Sequence, residues 1–136
     1  MKESLDPKRW WKRAMQDRAA ALLVCEHDPE SLAEPICVCC QQACEKMLKA
    51  YPIFTGWELV RTHDLRFLAK EAERLLPAVS ALLPDLVEVS LEYRASRYPF
   101  AFEEDVTEED ARRAIKTVEQ LRSLLEPQLL DKIGNS

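Results

Sequence analysis

The chain predicts an all-α fold, an up-and-down bundle of four to five helices, and three observations carry that expectation. Only two of its 136 residues are glycine, so tight hairpins, bulges and Gly-rich phosphate loops, which depend on left-handed backbone, have almost nothing to build on. Ala, Leu, Glu, Lys and Arg dominate the composition, and these residues lose little freedom in a helix. Between the prolines, apolar residues recur at three- and four-residue spacing, the period of a helix with one buried face.

The first helix follows Asp6-Pro7, an N-cap followed by proline at the first helical position. It runs to about Cys25, where His27-Asp28-Pro29 stops it, and Trp10, Ala14, Asp17, Ala21 and Val24 form an inward stripe with one acid in it. The second starts near Pro35, with Ile36, Cys40, Ala43, Met47 and Leu48 on its apolar side, and Tyr51-Pro52 is expected to end it. A connector over 52–61 holds Gly56 and Trp57. Thr62 reads as the N-cap of a third helix, with Asp64 in its first turn, and Leu65, Leu68, Ala69, Ala72, Leu75 and Leu76 follow. Pro77 interrupts, and a further helix carrying Leu86, Val89 and Tyr93 stops before Tyr98-Pro99. Thr107-Glu-Glu-Asp110 opens the last helix, which carries Ala111, Ala114, Ile115, Val118, Leu121 and Leu125 and is expected to kink or end at Pro127.

A chain of this length closes one hydrophobic core without metal or disulfide support, so residues 1–136 are read as a single domain. No apolar run approaches the roughly 20 residues of a membrane-spanning helix, and the charged N-terminus lacks the apolar core of a signal peptide. A cytoplasmic protein without membrane attachment is the expectation. Net charge is -5, unevenly spread: residues 1–20 carry six basic side chains (Lys2, Lys8, Arg9, Lys12, Arg13, Arg18) against three acids, and residues 101–110 carry six acids and no base. That distribution fits either a basic face for a phosphate ligand or ordinary solvated helix surfaces.

Four cysteines, Cys37, Cys39, Cys40 and Cys44, fall on the second helix. Zinc sites draw on turn-borne pairs, and no second pair exists here, so these thiols are read as small core residues, with no metal and no cofactor. Gln42, Lys46 and Lys49 share one face of the same helix and would hold a phosphate-bearing ligand, although Glu45 also stands four residues before Lys49, an ordinary surface pairing. His63 sits at a helix N-terminus, placed either for proton transfer and anion contact or simply to cap the connector. Arg94 and Arg97, followed by Tyr98, end a helix, where they either oppose its dipole or clamp a phosphate through planar guanidinium groups.

In this order the clusters resemble the HEPN domain (higher eukaryotes and prokaryotes nucleotide-binding): Trp10-x3-Ala14-x2-Asp17, then Gln41-Gln42-Ala43-x-Glu45-Lys46-x-Leu48-Lys49-Ala50, then Thr62-His63-Asp64-Leu65, then Arg97-Tyr98-Pro99. The resemblance spans about residues 7–126. It implies a four- or five-helix bundle, commonly a homodimer, often encoded beside a minimal nucleotidyltransferase and active in toxin–antitoxin or antiviral systems. Many such proteins are metal-independent endoribonucleases in which an arginine is followed four to six residues later by a histidine. No arginine of this chain has that spacing: Arg61 stands too close to His63, and Arg94 is followed by Ala, Ser, Arg97, Tyr98 and Pro99. The expectation is therefore a nucleotide- or RNA-binding module using Gln42, Lys46, Lys49, Arg94, Arg97 and Tyr98. The alternatives are an endoribonuclease using His63 with Arg94 or Arg97, and a non-catalytic scaffold presenting Trp10, Trp11, Trp57, Tyr98, Phe100 and Phe102.

Overall fold

The computed structural model describes residues 6–56, 62–97 and 105–134. Trp57, Tyr98, Phe100 and Phe102 lie outside the described residues, as does the side chain of Arg97. Five α-helices follow one another: α1 (Pro7–His27), α2 (Ala33–Phe54), α3 (Leu65–Leu75), α4 (Leu83–Arg97) and α5 (Glu108–Gly134), with a 3-10 turn over Pro77–Leu82 between α3 and α4. Strands are absent among the described residues. No helix is long and apolar enough to cross a membrane among the described residues.

Helix boundaries follow side-chain chemistry. Asp6 caps α1 by accepting from the Lys8 amide at 3.0 Å, and Pro7 occupies the first helical position, where its missing N–H is no loss. At α5 the capping is reciprocal: Asp110 Oδ2 accepts from the Thr107 amide at 2.9 Å, while Thr107 Oγ1 accepts from the Asp110 amide at 3.2 Å.

Two boundaries differ from the sequence expectation, and at Pro127, where a kink or an end is expected, the helix does not end. Asp64, not Thr62, is the N-cap of α3, accepting from the amides of Arg66 and Phe67, while Thr62 Oγ1 accepts from the Asp64 amide one step earlier. Both residue types cap helices, and the aspartate occupies the position where the backbone leaves its extended conformation. The second helix runs through Pro52 to Phe54. A proline in the final turn forfeits one hydrogen bond, against which Tyr51 and Pro52 are buried and Phe54 packs on the core. Gly56 closes this end with φ +89, a conformation glycine adopts at little cost, and its amide donates to the Ile53 carbonyl. The last helix likewise passes through Pro127. Pro127 and Ser123 both lie on the exposed face, so the Ser123 carbonyl, whose usual donor is missing, meets water instead.

The central element is α2, which touches each of the other four helices. Ile36, Cys37, Cys40, Ala43, Cys44, Met47 and Leu48 are fully buried on it, against Ala14 and Ala21 of α1, Leu65 and Leu68 of α3, Leu86 and Val89 of α4, and Leu121 and Leu125 of α5. Small residues on α1 and α2 allow close approach of the backbones, and the leucines of α3 and α5 fill the remaining volume. Cys37, Cys40 and Cys44 belong to this core, whereas Cys39 and Cys25 are partly exposed, and all five are free thiols.

Candidate functional site

A polar stripe runs along the buried side of α2. Gln41, Glu45 and Lys49 stand at four-residue spacing and are 1%, 3% and 3% exposed, so their polar groups have given up water and require partners inside the protein. Glu45 is the hub. Its Oε2 lies 3.3 Å from Lys49 Nζ, and its two oxygens lie 3.1 and 3.0 Å from His63 Nδ1. Gln41 Nε2 lies 3.5 Å from Glu45 Oε1 and donates to the His63 carbonyl at 3.2 Å, while Gln42 Nε2 donates to Gln41 Oε1 at 3.0 Å. The Lys49 ammonium also lies 5.2 Å from the centroid of the Trp10 ring, within range of the π face.

His63 is the exposed member of this network, Gln42 and Trp10 being only partly exposed. It precedes the α3 cap, so the chain delivers it to α2 at the point where α3 begins, and its side chain is 81% exposed. Contact with the Glu45 carboxylate fixes Nδ1 as the proton-bearing nitrogen and leaves Nε2 on the solvent side. A carboxylate that orients an imidazole in this way suits it to accept or donate a proton, or to bond a phosphate oxygen. Lys46, on the neighbouring face of α2, forms a separate half-buried ion pair with Asp17 of α1, Nζ to Oδ2 2.6 Å.

A second candidate surface lies on α1. Lys8, Arg9, Lys12 and Arg13 are all exposed and, with Asp6 and Gln16, line a shallow groove of about 640 Å³. Elsewhere five arginines find carboxylates, Arg18 with Glu119, Arg74 with Glu71, Arg112 with Glu108, Arg113 with Asp110 and Arg122 with Glu126, whereas Arg66 and Arg94 stand singly on other helices without an ion pair among the described residues. The four α1 cations have no such partner among the described residues. Trp10 projects from the same turns of α1 toward Lys49, so this basic face and the Glu45 network share one end of the molecule.

Of the residues that the sequence singles out, the fold brings together Gln42, Lys49 and His63 through Gln41 and Glu45, and sets Lys46 against Asp17. Arg94 is exposed on α4, with no hydrogen bond or ion pair to His63 among the described residues. It lies two residues beyond Glu92, whose carboxylate meets Cys37 at the opening of α2, whereas His63 meets Glu45, eight residues and about 12 Å further along that helix.

Two polar centres are not apparent from the sequence expectation. The Glu45–Lys49 pair is visible there as a four-residue spacing, but its burial is not. Glu92 is absent from that expectation altogether, although an acid three residues after Val89 and six after Leu86 falls on the apolar stripe of α4, which is itself a signal. Burial above all, then the neighbouring Asp110 and Glu88, push the Glu92 carboxyl up to about 7, against a lowering by Arg113 and the Cys37 contact.

Comparisons with known proteins agree with the architecture. The family model described as HEPN domain matches residues 7–128. Among solved structures, the crystal structure of an archaeal HEPN homologue is similar with a TM-score of 0.71 and 26% sequence identity, covering 94% of this chain and 98% of that one. A search of curated proteins gives no match.

Proposed function

Because the chain belongs to the HEPN domain family, matched over residues 7–128, we propose that it is a nucleotide- or RNA-binding module. It acts as a homodimer, with a minimal nucleotidyltransferase as partner in a toxin–antitoxin or defence system. The observation that carries the binding role is the α1 face: four adjacent exposed cations without carboxylate partners among the described residues, in a chain of net charge -5. Such a face attracts phosphates while the rest of the surface repels them, which orients a polyanion before contact. His63 Nε2, Arg94, Arg97 and Tyr98 are proposed as further phosphate contacts. Lys46, through Asp17, and Lys49, through the Trp10 ring, contribute by holding the α1–α2 frame that presents this face, and Gln42 steadies Gln41 beside them.

Fluorescence anisotropy with labelled single-stranded RNA and with a nucleotide, measured across a salt series, tests the role. Binding should weaken as salt rises. In the Lys12→Ala/Arg13→Ala variant the log–log slope should become shallower by about 1.4, at roughly 0.7 for each phosphate that is no longer neutralised. Absence of binding at low salt, or an unchanged slope in the variant, refutes the proposal.

A second reading, a metal-independent endoribonuclease, is favoured by the imidazole held through Nδ1 with Nε2 toward solvent. His63 would serve as acid–base catalyst on the 2′-hydroxyl, with an arginine stabilising the charge that develops at phosphorus. Cleavage of labelled RNA in EDTA that is abolished in His63→Ala supports it; cleavage insensitive to that substitution, or none, removes it.

A further inference from the structure

Neither bundle packing nor the His63 network accounts for Glu92. It is 7% exposed, yet no lysine or arginine nitrogen pairs with its carboxylate among the described residues. Among the described residues the hydrogen bond to its Oε2 comes from Cys37 Sγ, at 3.8 Å, and a thiol is a weak donor. The side chain lines a pocket of about 370 Å³ between α4 and α5, together with Asp85, Glu88, Arg113, Lys116, Thr117 and Gln120. A buried carboxylate short of a counter-charge and opening onto a cavity is a place where a bound cation gains much more than it would in water.

The walls of this pocket define the cation. Asp85, Glu88 and Glu92 share the α4 side; the first two are exposed and hydrated, and Glu92 is the buried one that lacks a counter-charge. Across from them, Arg113 is already engaged by Asp110. The Thr117 hydroxyl donates to the Arg113 carbonyl, so its oxygen is left as an acceptor toward the cavity. Val89 and Ala114 supply apolar floor between the two sides. Carboxylates one helical turn apart, with a hydroxyl acceptor opposite and a short apolar floor, suit a tetrahedral N–H donor on an aliphatic stem. A hydrated metal ion would want more oxygens, and no group of acids and thiols with metal-holding geometry occurs among the described residues.

We propose that this pocket binds a small primary ammonium ligand, its cation seated between Glu88 and Glu92 and its methylene stem on Val89 and Ala114. The proposal is independent of the nucleic-acid role. Two chemical sources share this group, free amino acids and aliphatic diamines, and Lys116 separates them. Lys116 has no ion pair among the described residues, so it would attract the carboxylate of an amino acid and repel the second ammonium of a diamine.

Calorimetric titration of the whole chain at about pH 8, where Glu92 is ionised, decides the matter, using a panel of free amino acids, putrescine and cadaverine, with propionate as the amine-free control. At least one amine should bind. Glu92→Gln should weaken it about tenfold or more, the loss expected for a charge-assisted hydrogen bond. Glu88→Gln, at the exposed rim, should weaken it less and keeps the test available if the Glu92 variant folds poorly. Lys116→Ala should weaken an amino acid and tighten a diamine. No binding by any amine, binding indifferent to both glutamine variants, or equal binding of propionate overturns the proposal.

Discussion

Replacing Glu45 by leucine removes the hub of the buried network and should be among the most damaging single changes available in this protein. Glu45 and Lys49 are 4% and 2% exposed at their side chains, with Nζ and Oε2 3.3 Å apart. Glu45→Leu leaves a buried ammonium with the Trp10 ring as its remaining partner among the described residues, and a ring face returns about 1–2 kcal/mol of the forfeited solvation. The expected cost is about 3–5 kcal/mol, as for other buried pairs broken on one side. Lys49→Met is milder, about 2–3 kcal/mol, because Glu45 keeps two donors, His63 Nδ1 and Gln41 Nε2. The double variant Glu45→Leu/Lys49→Met removes both charges in side chains of similar volume and should return to within about 1 kcal/mol of the parent. Urea unfolding followed by far-ultraviolet circular dichroism measures all four proteins and gives a coupling energy above about 2 kcal/mol. If Glu45→Leu costs less than about 1 kcal/mol, or if the two changes simply add, the pair is hydrated and the reasoning fails.

Two further outcomes follow from the polar groups of α4 and α5. Folding raises the Glu92 carboxyl from its ordinary 4.5 to about 7, so the folded state holds this proton more tightly than the unfolded chain does. The stability it contributes is full below about pH 4.5 and lost as pH rises through about 7. The groups facing Glu92 are Cys37 and Cys40 from α2, Glu88 on its own helix, and Asp110 and Arg113 from α5. Moving a carboxyl this far corresponds to about 3 kcal/mol, reduced to about 2 by the solvent that reaches the pocket. Glu92→Gln should therefore be more stable than the parent at about pH 8 by about 2 kcal/mol, a difference that closes toward about pH 5; a constant difference across that range would contradict it. Thr107→Ala removes one half of the reciprocal cap on α5 and should cost about 1 kcal/mol in thermal unfolding, whereas Thr107→Ser should cost little. Equal losses in both variants would mean that the hydroxyl does not cap the helix.

Most of the fold is legible in the sequence because the caps and stops are local. Asp6-Pro7, Thr107-x-x-Asp110 and the apolar spacing on α3 act within one or two turns, and no distant contact overrides them. The prolines are not legible, for the opposite reason. Whether Pro52 or Pro127 ends a helix depends on which carbonyl goes without its donor and whether that carbonyl meets water, and tertiary packing decides both. The site is legible in composition but not in burial. Glu45 and Lys49 look like an ordinary surface pairing until His63 and the Trp10 ring close over them, and the sequence near α2 contains no sign of that closure. Glu92 is readable in principle, since its place on the apolar stripe of α4 is a local feature.

The thiols of α2 carry a consequence for how the bundle opens. Cys37, Cys40 and Cys44 have no exposed surface, and burial above all pushes each thiol up, Cys44 to about 12, so almost no thiolate is present to react in the closed protein. Because α2 touches every other helix, uncovering these sulfurs means parting it from several neighbours at once. Alkylation at Cys25 and Cys39 will sample surface breathing, while alkylation at the three interior positions will keep time with the unfolding of the whole bundle. The chain thus carries its own chemical clock for separating local from global motion.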